Sequence, residues 1–169
     1  MDPAVPAVTA PTVVSIHISP ATRMPMRAVE QVRIETGAGI TGDRYENARH
    51  RQVTVQSLEE IALAETELGR SLDASYTRRN ITLTSGRLDR TPGSEITIGS
   101  VRLQVVRDAA PCKLLEDNLG RDAKLALHKR AGVVYRTLEG GVIAIGDQAE
   151  LCETASTDEA TNGGREEHR

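Results

Sequence analysis

Cys112 is the residue whose type and setting point most directly to chemistry. It lies between Pro111 and Lys113 in DAAPCKLLED (108–117), where a strand-like pattern gives way to a helix-like one. Proline is favoured at the first helical position, so the sequence predicts Cys112 in a first helical turn. There the free N–H groups, the helix dipole and Lys113 favour the thiolate. A thiolate can act as nucleophile, sulfur carrier or soft-metal ligand. The alternative is that Cys112 is a small buried apolar residue.

A second candidate is the run YTRRNITL, in which Arg78, Arg79 and Asn80 precede an alternating pattern. If both arginines lie on a strand, they point to opposite faces and only one can enter a pocket. If the strand begins only at Asn80, both guanidiniums can converge on one phosphate or carboxylate, which arginine binds through two parallel hydrogen bonds. A solvated strand edge is the alternative.

The third candidate is the glycine-rich segment GAGITGDRYENARHRQV, which places the opposite charges of Asp43 and Arg44 side by side. Its glycines permit unusual backbone angles and the close approach of a ligand. It matches neither a phosphate loop nor a dinucleotide fingerprint. His50, between Arg49 and Arg51, is either a proton donor or a surface residue, and we expect it at the surface. The other histidines have no metal-ligand spacing with either cysteine, so we expect no zinc site.

The composition sets the class of protein. A chain of 169 residues is long enough for one domain. Its net charge of −3 and its three aromatic residues, all tyrosines, argue against a nucleic-acid partner. No apolar run is long enough for a membrane helix and the start lacks the pattern of a signal peptide, so we expect a cytoplasmic protein without membrane contact. Its two cysteines are expected as free thiols, with Cys152 in a structural role.

The elements that must position these residues are mostly strands. Alternation of period two in 13–19, RQVTVQS and RNITLTS predicts half-buried strands. SEITIGSVRLQVV predicts a hairpin with a type II′ turn at Gly99 and Ser100. VVYRTLEGGVIAIGDQAELC predicts a second hairpin that turns at Gly140 and Gly141. Several short strands joined by glycine turns indicate a barrel or a closed sandwich.

Two segments predict helices instead. SLEEIALAETELG (57–69) has Ser57 three residues before Glu60, which is the pattern of a capping box, and it ends at Gly69. PCKLLEDNLGRDAKLALHKRAG predicts a turn or two of helix, a break at Gly120 and a second helix ending near Gly132. The fold class predicted is therefore mostly β, a barrel with a few peripheral helices.

Five motifs together resemble one known family. GITGDRY, RRNITL, PGSEITIGSVRLQV, APCKLL and EGGVIAIGDQAEL occur in the order and spacing of the MOSC domain, the C-terminal domain of molybdenum cofactor sulfurases. The resemblance extends over roughly 12–151 and is greatest to small stand-alone bacterial members. It implies a MOSC-type β-barrel over 12–152, with a flexible N-terminus at 1–11 and a disordered C-terminal tail at 153–169.

The resemblance also implies roles for the candidate residues. In this family the cysteine of the PC motif, here Cys112, carries sulfur as a persulfide or ligates molybdenum. Arg78, Arg79 and Asn80 resemble the group that would hold the anionic pterin of the molybdenum cofactor. The residues of the GDR motif, Asp43 and Arg44, resemble pocket-lining residues. The implied function is binding of the molybdenum cofactor, with reduction of N-hydroxylated compounds by external electrons.

Two other functions stay open at this point. One is a sulfur carrier that uses a Cys112 persulfide, and the other is a non-catalytic module that binds an anion or a partner. We expect the chain to lack both the pyridoxal-phosphate domain of the sulfurases and the extra N-terminal β domain of the amidoxime-reducing relatives. It would then need a partner, either a cysteine desulfurase or an electron-donating reductase, together with a small-molecule ligand.

Overall fold

The computed structural model of the chain describes residues 10–151. Short strands, many of them ending at glycine or proline turns, alternate with three helices and one 3₁₀ helix, Ala74–Thr77. In chain order the elements are β1 (Val13–Ile18), β2 (Arg27–Val29), β3 (Gln31–Glu35), β4 (Gly39–Ile40), β5 (Val53–Ser57), α1 (Leu58–Leu68), β6 (Ile81–Leu83), β7 (Glu95–Ile98), β8 (Val101–Asp108), α2 (Lys113–Leu119), α3 (Ala123–Ala126), β9 (Val133–Glu139), β10 (Gly141–Ala144) and β11 (Ala149–Leu151).

The strands form two sheets. The larger has eight strands in the order β11-β7-β8-β9-β5-β6-β1-β2, and the smaller has the order β10-β3-β4. Every pairing is antiparallel except that of β5 with β6, which run parallel with Val55 opposite Ile81. Because parallel neighbours start at the same edge, the residues just before β5 and β6 come together there.

The fold is mostly β with few helices, as predicted, but the larger sheet does not close into a barrel. Its terminal strands, β11 and β2, are not paired with each other. The chain just before β1 contacts β11 through one isolated bridge, Thr12 to Gln148, and the Ala149 N–H donates to the carbonyl of Pro11 at 2.8 Å. The described strands therefore curl toward closure and stop short of it.

Two apolar clusters support the fold. The larger fills the space between the sheets with aliphatic side chains and Tyr135, including Ile16, Ile81 and Leu103, all fully buried. The smaller lies under the helices and joins Ile61 and Ala64 of α1 to residues of 115–131. The segment that carries Cys112 is thus anchored by its own cluster, apart from the main core.

One predicted hairpin is confirmed and the other is wrong. Ile98 pairs with Val101 across a two-residue turn in which only Gly99 has a positive φ, +56°. After Gly140, in contrast, β10 leaves its predicted partner β9 and pairs with β3 in the other sheet. A Cβ on Gly140 would collide with the Ile34 carbonyl, so glycine permits this close passage onto β3.

The predicted half-burial of the strands also needs correction. All five residues of β5 and all three of β6 are buried, because structure covers both faces of these central strands. In β1 a register shift between Val13 and Ser15 turns Val13 into the core and leaves Val14 41% exposed. With Ile16 and Ile18 buried, strict alternation would bury Val14 and expose Val13, and the shift reverses these two positions.

The helices form where the sequence predicts them, but the capping box does not. Ser57 is the N-cap of α1 without a side-chain cap, and its hydroxyl is buried without a hydrogen-bond partner in the described range. The Glu60 carboxylate instead accepts from both Nη atoms of Arg90, at 2.8 and 3.0 Å. A strong buried ion pair has replaced the predicted local cap. α2 and α3 are separated at Gly120, as expected, but α3 is only four residues long and ends at Ala126, short of the predicted end near Gly132.

The predicted flexible N-terminus and disordered tail lie largely or wholly outside the described residues, as does Cys152. Within 10–151, no helix combines the length and apolar character that a membrane crossing requires.

Candidate functional site

Arg79 is the central cation of the site. It lies two residues before β6 and is 5% exposed. Its Nε donates to the carbonyl of Ala131 at 2.6 Å, and its Nη2 donates to the carbonyls of Ala109 and Ala110 at 3.3 and 3.4 Å. Burial, followed by the charge of Arg51, lowers the pKa of Arg79 to about 10. It therefore stays charged at neutral pH, without a carboxylate partner in the described range.

Asn80 and Asp43 form the framework beneath the arginines. The Asn80 Oδ1 accepts from the Thr54 N–H and hydroxyl, both at 3.1 Å, and its Nδ2 donates to the His17 carbonyl and to Asp43 Oδ1. Asp43 also accepts from the Ser19 N–H at 3.1 Å. The amide of Asn80 is saturated by protein groups, so in this arrangement it positions its neighbours and has no hydrogen bond left for a ligand.

Arg44 and Arg78 interlock above this framework. The Arg44 Nη2 donates to the carbonyl of Arg78 at 3.3 Å, and its Nη1 contacts Asp43 Oδ1 at 3.4 Å. Arg78 adopts a left-handed backbone, with φ +63°, so the strand begins after it and both neighbouring arginines reach the same region. Burial, then the charge of Arg44, lowers the pKa of Arg78. The late start of the strand favours the anion-site interpretation of RRN.

Arg51 completes the site, although nothing in the sequence analysis assigned it a role. It precedes β5 as Arg79 precedes β6, and the parallel pairing of these strands brings the two arginines to one edge. Its Nε is buried without a hydrogen-bond partner among residues 10–151. Its guanidinium carbon lies 4.4 Å from the ring centre of Tyr45. Burial is the main cause that lowers the pKa of Arg51, and the charges of Arg107 and Arg44 add to it.

Cys112 faces this group of arginines. It is exposed and free, and it is the N-cap of α2, one position earlier than the predicted first turn. α2 has only seven residues, so its dipole is a weak source of positive charge. The arginines are a stronger source of positive charge. The negative form of Cys112 raises the pKa of Arg51, Arg78 and Arg79, whereas burial lowers the pKa of each.

The charge balance of the site is strongly positive. Of its four arginines, only Arg44 has a carboxylate partner within the described ranges, Asp43. The other three, Arg51, Arg78 and Arg79, form no ion pair with a described residue. Positive charges held together at partial burial repel one another, and an anion between them relieves that repulsion. The geometry therefore fits a phosphate beside a thiol.

A cleft of about 500 Å³ opens on the Arg78 side of the site, between the segment before β2, the 3₁₀ helix and α2. His17 lines it, although its sequence context gave no sign of function. His50, by contrast, is exposed, as expected. Among the described residues, no three His, Cys, Asp or Glu side chains converge as a ligand set, so protein ligation of a metal here would rest on Cys112.

The family model of the MOSC domain matches residues 21–150, which include all of these arginines and Cys112. The chain belongs to the MOSC domain family. This family is associated with binding of the molybdenum cofactor. No curated protein matches the chain.

Solved structures show the same MOSC fold at low sequence identity. The YuaD protein from Bacillus subtilis superposes with a TM-score of 0.71 at 14% identity, over 83% of this chain and 94% of that one. YiiM from Geobacillus stearothermophilus gives 0.66 at 21% identity, over 87% and 77%. YiiM from Escherichia coli gives 0.59 at 15% identity, over 84% and 70%. At such identities the similarity establishes the fold alone.

Proposed function

We propose that this MOSC domain binds the molybdenum cofactor, with Arg51 and Arg79 holding the phosphate of the pterin and Cys112 ligating the metal. The observation that carries the proposal is the group of arginines without a carboxylate partner in the described range that lies close enough to Cys112 for its thiolate to raise their pKa values. Arg78 adds charge at the rim, and Asp43, Arg44 and Asn80 fix the positions of the binding groups.

The residues present fit such a cofactor. The buried Nε of Arg51 lacks a hydrogen-bond acceptor within 10–151, and a phosphate oxygen is an acceptor that arginine prefers. Cys112 is the N-cap residue of α2, and its exposed thiol forms no capping hydrogen bond, so the sulfur is free to bind a soft metal. When bound, the cofactor would supply two-electron redox chemistry. The chain's own residues would hold the phosphate, bind the metal through sulfur and admit the substrate.

With electrons from a partner reductase, the loaded protein would reduce N-hydroxylated compounds. The exposure of Cys112 also favours a second function. The Cys112 thiolate could attack the outer sulfur of a persulfide on a partner desulfurase's own cysteine, taking up that sulfur and releasing the desulfurase's thiolate, and no metal would then be held. Either function places the protein in the cytoplasm with its partner, and neither requires nucleic acid.

The test is metal and pterin analysis of protein purified from a host that makes the cofactor. We expect about one molybdenum and one pterin per chain. Cys112→Ser should lose the metal and keep part of the pterin, because the arginines remain, whereas Arg51→Met should lose both. Arg87→Met is the matched control, since the Arg87 side chain is 73% exposed.

Three results would contradict the cofactor proposal. Protein without molybdenum but with a cyanide-labile sulfur on Cys112 would select the sulfur carrier. Protein with neither would select a non-catalytic module. Equal cofactor content in Arg51→Met and wild type would remove Arg51 from the site.

A further inference from the structure

The cleft beside the arginine site has the features of a separate small-molecule site. Its volume of about 500 Å³ lies within the roughly 300–1,000 Å³ typical of such sites. Arg78 lies in its wall, whereas Arg51 and Arg79 do not line it. The cleft therefore adjoins the proposed phosphate site and is distinct from it.

Apolar side chains give the cleft much of its surface. Tyr76 and Leu114 are 54% and 37% exposed, and Met26 lines the same cleft. Large apolar side chains left open to water in a concave setting favour a ligand with a flat apolar part. Within the described chain, no protein group covers them.

The polar side chains of the cleft are arranged for a negative charge. Its cations are Arg78 and Arg23, and no Asp or Glu is among the described residues that line it. One N–H of the Arg78 guanidinium, on Nη1, donates to the carbonyl of Met24 at 2.8 Å. Its Nε and Nη2 form no hydrogen bond with residues 10–151 and are not sealed from solvent, so they can donate to a carboxylate.

His17 adds an uncharged donor to the same wall. Its Nδ1 is buried without a hydrogen-bond partner in the described range, and the acidic group that acts on it, Asp73, is already bonded to Ser75. Burial lowers the pKa of His17, so the imidazole is neutral at pH 7. A neutral ring with its proton on Nε2 would avoid a buried, unsatisfied N–H and could donate into the cleft.

Helix α2 connects the cleft to the thiol. Leu114 and Asn118, four residues apart, share the helix face that lines the cleft, whereas Leu115 and Leu119 face the apolar cluster below. Cys112 begins the same helix. A molecule in the cleft therefore rests against the element that carries the reactive sulfur.

We propose that this cleft binds small aromatic carboxylates, with the ring against Tyr76, Met26 and Leu114 and the carboxylate on Arg78. The inference rests on the proposed function only in treating an N-hydroxylated member of this class as the substrate that Cys112 and its cofactor would meet. Arg78 at an apolar wall, with Arg23 as the second cation of the cleft, suits a carboxylate, whereas Arg51 and Arg79, which do not line the cleft, suit a phosphate.

The experiment titrates the cofactor-free protein with benzoate, benzamide and acetate, with inorganic phosphate present throughout to fill the arginine site. We expect benzoate to bind at least about tenfold more tightly than benzamide, which keeps the ring and lacks the charge. Acetate, which keeps the charge and lacks the ring, should bind weakly. Saturable shifts of the imidazole resonances of His17, assigned with His17→Gln, would place the ligand in the cleft.

Two variants test the contacts. Arg78→Met should abolish the preference for benzoate over benzamide, and Leu114→Asn should weaken both ring compounds equally. Arg87→Met, at an exposed position that does not line the cleft, should behave as wild type. Equal binding of benzoate and benzamide, or unchanged binding by both cleft variants, would overturn the inference.

The outcomes separate this inference from the proposed function. In a parallel titration without phosphate, tighter binding of benzoate by wild type but not by Arg51→Met would show that benzoate occupies the arginine site, and the cleft assignment would be wrong. A protein that carries no molybdenum but binds benzoate in the cleft would refute the cofactor proposal and leave the cleft site standing.

Discussion

At the scale of single residues, Arg51 and Arg79 show how one residue type serves two purposes. Arg79 donates to three carbonyls and thereby supports the backbone on both sides of the α2–α3 segment. Arg51 has no hydrogen bond to a described residue, only its contact with the ring of Tyr45. Arg79 should therefore matter for stability as well as for an anion, whereas Arg51 should matter mainly for an anion.

The first prediction follows from this difference. Arg79→Met should lower the free energy of unfolding by about 2 kcal/mol, because it leaves buried carbonyls without a donor. Arg51→Met should change it by less than about 1 kcal/mol, since it removes only a cation–π contact and relieves a buried charge.

Thermal melting in phosphate and in chloride at equal ionic strength provides the measurement. Phosphate at ten times its Kd should stabilise wild type by about 1.4 kcal/mol, and it should not stabilise Arg51→Met. Equal stabilisation of the two proteins by phosphate would show that Arg51 is a partly buried charge with no part in binding the anion.

The second prediction concerns acid stability and His17. Because burial lowers the pKa of His17 in the folded state, the unfolded chain takes up its proton first as the pH falls below about 6.5. Stability attributable to His17 is thus complete above this pH and is lost as the pH falls toward the folded pKa. His17→Gln should flatten the decline in melting temperature between pH 6.5 and 5. His50→Gln, at an exposed position, is the control and should retain the decline.

The sequence singled out most residues of the candidate site but not the contacts that they make. It singled out Cys112, Arg78, Arg79, Asn80, Asp43 and Arg44, all of which lie in one connected region. It missed Arg51, because the role of that residue depends on the parallel pairing of β5 with β6, and alternation within a strand carries no information on its neighbour. The saturated hydrogen bonds of Asn80 were equally invisible, since its partners lie 26 to 63 positions away.

At the scale of elements, α1 is attached to the sheet by an ion pair. Glu60 is 3% exposed, and its carboxylate binds the Leu88 N–H and both Nη atoms of Arg90. The Nε of Arg90 in turn binds Asp108 at the end of β8, at 2.8 Å. One guanidinium thus joins a helix, a loop and a strand.

The third prediction is that Glu60→Gln destabilises the protein by about 3 kcal/mol, because it leaves the partly buried Arg90 charge without its main partner. Glu59→Gln is the adjacent control. Its partner Arg87 is 3.9 Å away and exposed, so its loss should cost no more than about 1 kcal/mol. Urea denaturation of both variants measures the difference, and similar losses would show that the buried pair has no special weight.

The elements themselves were predictable to the extent that their causes are local. The Gly99–Ser100 turn forms because only one register satisfies both flanking alternations. The Gly140–Gly141 turn has the same local chemistry, yet β10 pairs with β3, more than a hundred positions earlier. That choice is made by competition between sheets. The capping-box pattern failed for a similar reason, since Arg90 binds Glu60 more strongly than a backbone N–H would.

At the scale of the whole molecule, residues 10–151 form two sheets with one core between them and a helical segment with a second core. The family match and the superpositions on YuaD and YiiM identify the sheet arrangement, at identities of 14 to 21%. The sequence predicted the mostly β class and the family. It could not predict that the sheet stops short of closure, because closure depends on strand register summed around the entire sheet.

The three carbonyls held by Arg79 have a wider consequence. Ala109 and Ala110 stand at one end of the segment that carries Cys112, Ala131 stands at the other, and the Ala109 N–H also donates to the carbonyl of Gly132 at 3.0 Å. Both ends of the segment 109–132 are therefore held by one side chain, that of Arg79, which lies just before β6. A segment held in this way is suited to exchange between relatives. A relative's segment with the same spacing between its ends and with matching apolar contacts to α1 could replace it as a whole. The Cys112 thiol and the part of the cleft wall formed by α2 would then be replaced together, while the sheets stay unchanged.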